Sequence, residues 1–262
     1  MTNAPANAHL RQPIFREAAA LDSAPSPASA PNFNRLARIY RWLEYFTFGP
    51  FLWRCRTHFI PELAHYRHAL ILGDGDGRFT ALLLRENPEI KIHAVDASPR
   101  MIESLRHASK RHAARLTTEV ADIRTWKPAA FAKYDLIVTH FFLDCLATEE
   151  VAALGSRLSP AVDPNALWLV SEFAIPPTIF GRIIATPLVG ALYRAFRLIT
   201  HLRQQSLPDH PNALTVSGWA IQQESTQLFG LLLTQLWRHP SRTLNPTCFS
   251  IRLPEKTTPS AM

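Results

Sequence analysis

The chain has 262 residues, of which 47% are hydrophobic and 19% charged, with a formal net charge of +7. That suits one good-sized globular domain with a substantial core. Without a run of about 18 apolar residues it predicts no membrane-spanning helix, and three widely separated cysteines (Cys55, Cys145 and Cys248) predict reduced thiols rather than a disulfide or zinc framework.

The positive charge suits an anionic partner such as phospholipid headgroups or nucleic acid. No Lys/Arg run is dense enough to name nucleic acid, so none is expected, and the arginines are spread along predicted helices. The eleven histidines include no H-E-x-x-H pattern. His65/His68 and His107/His112 therefore read as surface or packing residues, with no metal site.

Residues 1–31 are rich in Ala, Pro, Ser and Asn and predict a disordered tail. They lack the charged and apolar regions of a secretory signal, which points to a cytoplasmic protein. From Asn32, the spacing of Phe33, Leu36, Ala37 and Tyr40 predicts an amphipathic helix. Aromatic stretches follow at Phe46–Pro50 and Leu52–Arg56 and read as core. Leu70–Leu72 is a first strand, running into Gly73-x-Gly75-x-Gly77 and a helix over Arg78–Glu86 that Asn87-Pro88 stops. Three of the nine glycines in the chain fall within these five residues. Lys91–Val95 is a second strand ending at Asp96, nineteen residues beyond Gly77. A carboxylate there, at a strand's C-terminal edge, is placed to accept hydrogen bonds from ribose hydroxyls. Ser98-Pro99 reads as the cap and first turn of the next helix.

A third strand, Thr117–Val120, leads into Ala121-Asp122-Ile123. A fourth, Tyr134–Thr139, opens into His140-Phe-Phe-Leu-Asp144, and a helix begins at Thr148 with Glu149 and Glu150 in its first turn. The fifth strand is Leu167–Phe173. Thr178–Arg203 follows in a helical pattern carrying Arg182, Arg194, Arg197 and Arg203, broken at Thr186-Pro187 into two helices. Then come a polar loop at Leu207–Asn212, final strands at Leu231–Arg238 and Thr247–Leu253, and a flexible end over 255–262. Alternating strands and helices predict an α/β fold with a doubly wound parallel sheet and ligands at the strands' C-terminal edge.

Glycines between a strand and a helix N-terminus let a nucleotide-like ligand approach the backbone, although an ordinary tight turn uses them too. The dinucleotide fingerprint needs a third glycine at position 78, which is Arg78. The actual spacing, G-x-G-x-G, resembles the first motif of the class I S-adenosylmethionine-dependent methyltransferases. That family's motif acid falls at Ile71, and Asp74 and Asp76 are the acids at hand to take its place. Ala94-Val-Asp-Ala-Ser-Pro-x-Met101 is similar to the second motif, and Asp135 with the aromatic and polar loop after the fourth strand is similar to the fourth. Phe33-x-x-Leu36-Ala-Arg-Ile-Tyr40, Phe48-Gly49, Trp53-Arg54 and the strand ending Glu172-Phe173 look like the ubiquinone and menaquinone C-methyltransferase subgroup, except for Arg41 where that subgroup has Asp.

The likeness covers roughly 33–253. It implies a Rossmann-like seven-stranded sheet of order 3-2-1-4-5-7-6 with its last strand antiparallel, within a domain over 32–254. Residues 32–66 would be cap helices and 176–212 a helical lid. It also implies S-adenosylmethionine as cofactor, held by Gly73, Asp74, Gly75, Asp76, Gly77, Asp96, Ala97, Met101 and Thr139. Asp122 would take the adenine amino group and Ile123 would pack on the ring.

Methyl transfer depends on aligning acceptor and donor, with a base only where the acceptor loses a proton. His140 is the first candidate base, since its ordinary pKa is about 6.5; Asp144 and His210 are the others. The expected function is methyl transfer to an apolar small molecule such as a quinone precursor or lipid-like phenol. The alternatives are a phospholipid or other small-molecule N/O-methyltransferase and, from another class, a non-catalytic S-adenosylmethionine-binding interaction protein. The basic 178–203 segment reads as a lid over an apolar acceptor, a peripheral contact with an anionic membrane, or plain packing of helices over the sheet.

Overall fold

The computed structural model describes residues 50–179, 181–191 and 207–239, all in the unit 31–262 of the two into which the chain divides. The expected tail, the Phe33–Tyr40 helix, the Thr247–Leu253 strand, the 255–262 end and Arg194, Arg197 and Arg203 lie outside the described residues.

A short helix, α1 (Pro50–Thr57), precedes the first βα unit: β1 (His68–Leu72), α2 (Arg78–Glu86), β2 (Lys91–Asp96) and α3 (Pro99–Ala108). There follow β3 (Leu116–Val120), β4 (Tyr134–His140), α4 (Thr148–Leu158), β5 (Val162–Phe173), α5 (His210–Val216), β6 (Ala220–Gln227) and β7 (Leu232–Arg238). The strands form one seven-stranded sheet of order β3-β2-β1-β4-β5-β7-β6, the order expected. The first five run parallel, and β7 is antiparallel to both of its neighbours.

Local chemistry sets the element boundaries. Asn87 ends α2 by accepting the N–H groups of Glu89 and Ile90 on its side-chain oxygen, while its amide donates to the carbonyls of Leu63 and Tyr66. The Ser98 hydroxyl caps α3 by accepting the Met101 N–H, and Pro99 fills the first turn, where its missing N–H costs nothing. Asp135 accepts the Arg67 and His68 N–H groups at 2.7 and 2.8 Å, tying the entrance of β1 to that of β4. Asp209 is also a capping residue, accepting the Asn212 N–H at the start of α5.

Because side chains alternate across a strand, each buried strand feeds two cores. Leu70, Leu72, Ile137, Trp168 and Val170 join Val151 and Leu154 of α4 and Leu214 of α5 on one face. Ala69, Ile71, Leu136, Val138 and Leu169 join Phe79 and Leu83 of α2 and Leu105 of α3 on the other. A third cluster, with Leu52, Cys55, Phe141, Phe173, Ala185, Val189 and Leu231, packs α1 and the segment after β5 together.

Two expectations are corrected. The last described strands are 220–227 and 232–238, so Leu232–Arg238 is the antiparallel last strand of the sheet rather than the penultimate one. Ala220-Ile-Gln-Gln-Glu-Ser-Thr-Gln227 is a polar edge strand, mostly exposed, so no apolar alternation marked it. The expected break at Thr186-Pro187 is a change of helix type: a π turn over Gly181–Ala185 passes into α-helix at 186, with the Thr186 hydroxyl donating to the Gly181 carbonyl. No helix among the described residues is long and apolar enough to cross a membrane.

Gly77, at φ +76°, starts α2, and a Cβ there would run into the Leu105 Cα of α3. Gly77→Ala is therefore expected to destabilise the fold by about 1–3 kcal/mol from backbone strain alone, with the clash adding to it. Chemical denaturation checks this, and a variant unfolding at the wild-type midpoint would contradict the close α2–α3 packing.

Candidate cofactor and catalytic site

The C-terminal ends of β1, β2 and β4 converge on the glycine turn. Gly73, Gly75 and Gly77 all adopt positive φ, at +67°, +64° and +76°. Their surroundings differ. A Cβ on Gly73 would enter the Phe142 ring, whereas one on Gly75 would meet nothing within 4 Å. Gly75 is thus the point where backbone faces open space.

Asp74 turns inward and anchors the loop to α2. Its Oδ2 accepts both the Thr80 N–H at 2.9 Å and the Thr80 hydroxyl at 2.6 Å. Burial pushes its pKa up to about 6, while the Thr80 hydrogen bonds and the Arg56 charge act the other way. Asp76 instead pairs with Arg78 at 2.9 Å. Ile71, where the motif acid would stand, is 1% exposed in the cluster with Phe79 and Leu83, so a carboxylate there would sit in apolar surroundings.

Asp96 ends β2 beside this turn, since the Gly73 N–H donates to the carbonyl of Val95 at 3.0 Å. Its Oδ1 accepts the Ser98 N–H at 2.8 Å, and burial pushes its pKa up to about 6. Ala97 is exposed and Met101 half-buried on the same rim. Asp122 follows β3, joined to the rim by the Ala121 N–H donating to the Asp96 carbonyl. Its carboxylate accepts the Arg124 N–H at 2.9 Å, and Ile123 belongs to the core under α4. The structure therefore gathers Gly73–Gly77, Asp96, Ala97, Met101 and Asp122 along one edge. Thr139 is not part of it: the side chain is wholly buried and its hydroxyl accepts the Trp168 indole N–H at 3.0 Å.

The three expected bases are dispersed. His140 Nδ1 lies 2.9 Å from the Ser171 hydroxyl, which donates to Thr234, whose hydroxyl donates to the Cys55 carbonyl. The ring is 4% exposed and meets Phe79 edge-on at 4.4 Å. Burial, with the Arg56 charge second, holds its pKa well below the usual value, so the imidazole is neutral. A proton-exchanging base must reach the acceptor, and this ring is instead a buried link between β4, β5, β7 and α1.

His210 is buried too, with Nε2 3.2 Å from Gln235 Oε1, and burial lowers its pKa. Gln235 shares its side of β7 with Trp237, and His140 shares its side of β4 with Val138, so the two histidines lie on opposite faces of the sheet. Asp144 alone stays half-exposed at the strand edge, with burial pushing its pKa up to about 6.

Glu172, Arg56 and Phe142 were not expected as site residues. Glu172 ends β5, is 1% exposed, and accepts the N–H groups of Phe142 and Leu143 at 3.1 and 2.8 Å. Its signal was an acid inside the apolar run Trp168-Leu-Val-Ser-Glu-Phe173. Arg56, 7% exposed, sits with its guanidinium 5.3 Å from the Phe141 ring centre. Among the described residues no group of three or more His, Cys, Asp or Glu could hold a metal ion.

Asp74, Asp96 and Asp144 each titrate near 6 in the folded chain against 3.8 for the ordinary side chain. The folded state thus binds more protons than the unfolded one between these values, and this contribution to stability is lost as pH rises from about 4 to about 6. Asp74→Asn keeps an oxygen for Thr80 and removes one titration. Its stability relative to wild type is expected to increase between about pH 4.5 and about pH 7.5, read from denaturation midpoints. An unchanged difference would show that Asp74 does not titrate in this window.

The edge fits S-adenosylmethionine: open space over Gly75, a carboxylate at the end of β2 and an exposed rim between them. Residues 70–167 match the family model described as a methyltransferase domain. No curated protein matches the chain significantly. Among solved structures, an O-methyltransferase family protein from Burkholderia thailandensis is 15% identical, with TM-score 0.61 over 80% of this chain and 61% of its own. The S-adenosylmethionine-dependent methyltransferase SibL is 20% identical, with TM-score 0.58 over 82% and 64%. The N-methyltransferase NodS from Bradyrhizobium japonicum WM9, in complex with S-adenosyl-L-homocysteine, is 16% identical, with TM-score 0.53 over 72% and 88%. The chain thus spans less than two thirds of the first two of these proteins. At these identities the structures establish the shared fold, and residues 70–167 resemble a methyltransferase domain.

Proposed function

We propose that this chain transfers the methyl group of S-adenosylmethionine to an apolar small-molecule acceptor, with a phenol-like ring such as a quinone precursor as the leading class. The observation that carries the reading is the open backbone at Gly75 beside the Asp96 carboxylate, at the junction of β1, β2 and β4. When bound, the cofactor supplies a sulfonium whose methyl group an aligned nucleophile can take. Gly75 would let the ligand approach the main chain, Asp96 would accept the ribose hydroxyls, and Ala97 and Met101 would line the rim. Asp122 would receive the adenine amino group, with Ile123 beneath it. Thr139 and His140 would hold β4 in place from below. Asp144 is the group suited to take a proton from the acceptor, because its pKa near 6 leaves it ionised yet basic at neutral pH.

An apolar acceptor is supported by the Phe141–Phe173 pair, with ring centres 5.0 Å apart, in the cluster with Leu52 and Leu231. The likeness to the ubiquinone and menaquinone C-methyltransferases rests on sequence motifs. The solved relatives include both an O- and an N-methyltransferase, so a phospholipid amine or other N/O acceptor is the second reading. Peripheral contact of a cytoplasmic protein with an anionic membrane is supported by exposed Ile179, Ile183 and Ile184 in an acid-free stretch over 177–206.

Calorimetric titration with S-adenosylmethionine is expected to show binding; none at millimolar ligand would favour the non-catalytic interaction protein. Asp96→Ala is expected to weaken binding at least about tenfold, on the order of 1.4 kcal/mol. Unchanged affinity would remove Asp96 from the ribose site. Sedimentation with anionic vesicles at low salt, lost at high salt, is the expected sign of membrane contact, and free protein at both salts would refute it.

A further inference from the structure

The five residues after β4 form a loop whose conformation needs explaining. Phe141 adopts φ +52°, a left-handed backbone that aromatic residues rarely take. Its N–H donates to the Ser171 carbonyl at 2.6 Å, and the chain then turns so that the Phe142 ring fills the space left by the absent Cβ of Gly73. The loop thus reaches back over the glycine turn. Without a tether it would relax to an ordinary conformation and take the ring with it.

The tether is Glu172. Its Oε1 accepts the N–H groups of the two residues following Phe141, at 3.1 and 2.8 Å. Both donors are backbone groups, so the carboxyl fixes the path of the main chain and not one rotamer. Its Oε2 is buried with no hydrogen-bond partner among the described residues. A buried acid is an expensive way to hold a loop. Asp144 lies on the same loop, and burial together with that neighbouring charge raises the Glu172 pKa well above the usual range. Cys145 on the loop and Cys55 on α1 face it as well, with both thiols raised chiefly by burial.

We propose that Glu172 is a positioning residue for the cofactor site: its carboxyl clamps the 142–143 backbone so that Phe142 is held against Gly73 as one wall of the glycine turn. This rests on the methyltransferase reading, since the wall matters only where a cofactor occupies the turn. The clamp needs an acceptor oxygen and not a charge, so a glutamine should replace the glutamate.

The test is titration of S-adenosyl-L-homocysteine into the wild-type chain, Glu172→Gln, Glu172→Leu and Phe142→Ala, with thermal melting of each. Glu172→Gln is expected within about twofold of wild-type affinity, whereas Glu172→Leu and Phe142→Ala each weaken binding at least about tenfold. In Glu172→Leu the Phe142 and Leu143 amides should exchange with solvent faster while those of 134–138 do not. Wild-type affinity in a folded Glu172→Leu, or in Phe142→Ala, overturns the clamp, as does a tenfold loss in Glu172→Gln. Should Glu172→Leu fail to fold, Phe142→Ala and Glu172→Gln decide. Absence of binding by the wild-type chain would instead sink the methyltransferase reading, so the two failures are told apart.

Discussion

Everything at this site depends on a turn that reverses the chain between β1 and α2 within five residues while leaving its upper side clear. An L side chain cannot hold three positive φ angles in so short a space without strain, and two of the three glycines are also closed in by Phe142 and Leu105. Gly77 lets α2 and α3 come together, Gly73 lets the loop after β4 come down, and Gly75 is left facing outward. Packing on either side of the turn is what makes the middle glycine accessible. Parallel pairing then sets Asp96 alongside it, because β2 runs in register with β1 up to the same edge.

The edge concentrates acids that are hard to ionise. Asp74, Asp96, Asp144 and Glu172 all have their pKa raised, with burial as the largest cause in each case. Asp74 and Glu172 each direct one oxygen to N–H or O–H groups of the protein, so they shape loops. Asp96 and Asp144 remain nearer the surface. The same burial acts oppositely on His140 and His210, keeping them neutral. One physical cause therefore sorts the titratable residues into those that build the site and those that can meet a ligand.

The first five strands and the glycine turn were legible because their signals are local: apolar strand runs, glycine spacing, an Asn-Pro stop and a Ser-Pro cap; the sheet order came only with the family resemblance those motifs carry. Which way a side chain points is not local. Thr139 and His140 stand next to the loop in sequence, yet one faces Trp168 and the other Ser171, since alternation along β4 sends them to opposite faces beneath the edge. His210 looked available in a Pro-rich loop, but α5 buries it against β7. β6 left no trace because a polar edge strand carries no hydrophobic period. Glu172 could have been found, since a carboxylate amid Trp, Leu, Val and Phe needs partners wherever it folds.

The position of β7 has a consequence for the chain as it is made. β5 pairs with β7, and Leu232 lies 59 positions after Phe173 (232 − 173). When the ribosome has completed β5, the apolar edge of Leu167–Val170 has its parallel neighbour β4 but nothing on its other side. It stays open until the last strand of the sheet emerges and slots between β5 and β6. Nascent chains stalled in that interval expose an unpaired hydrophobic strand, the state in which association with another chain competes with folding.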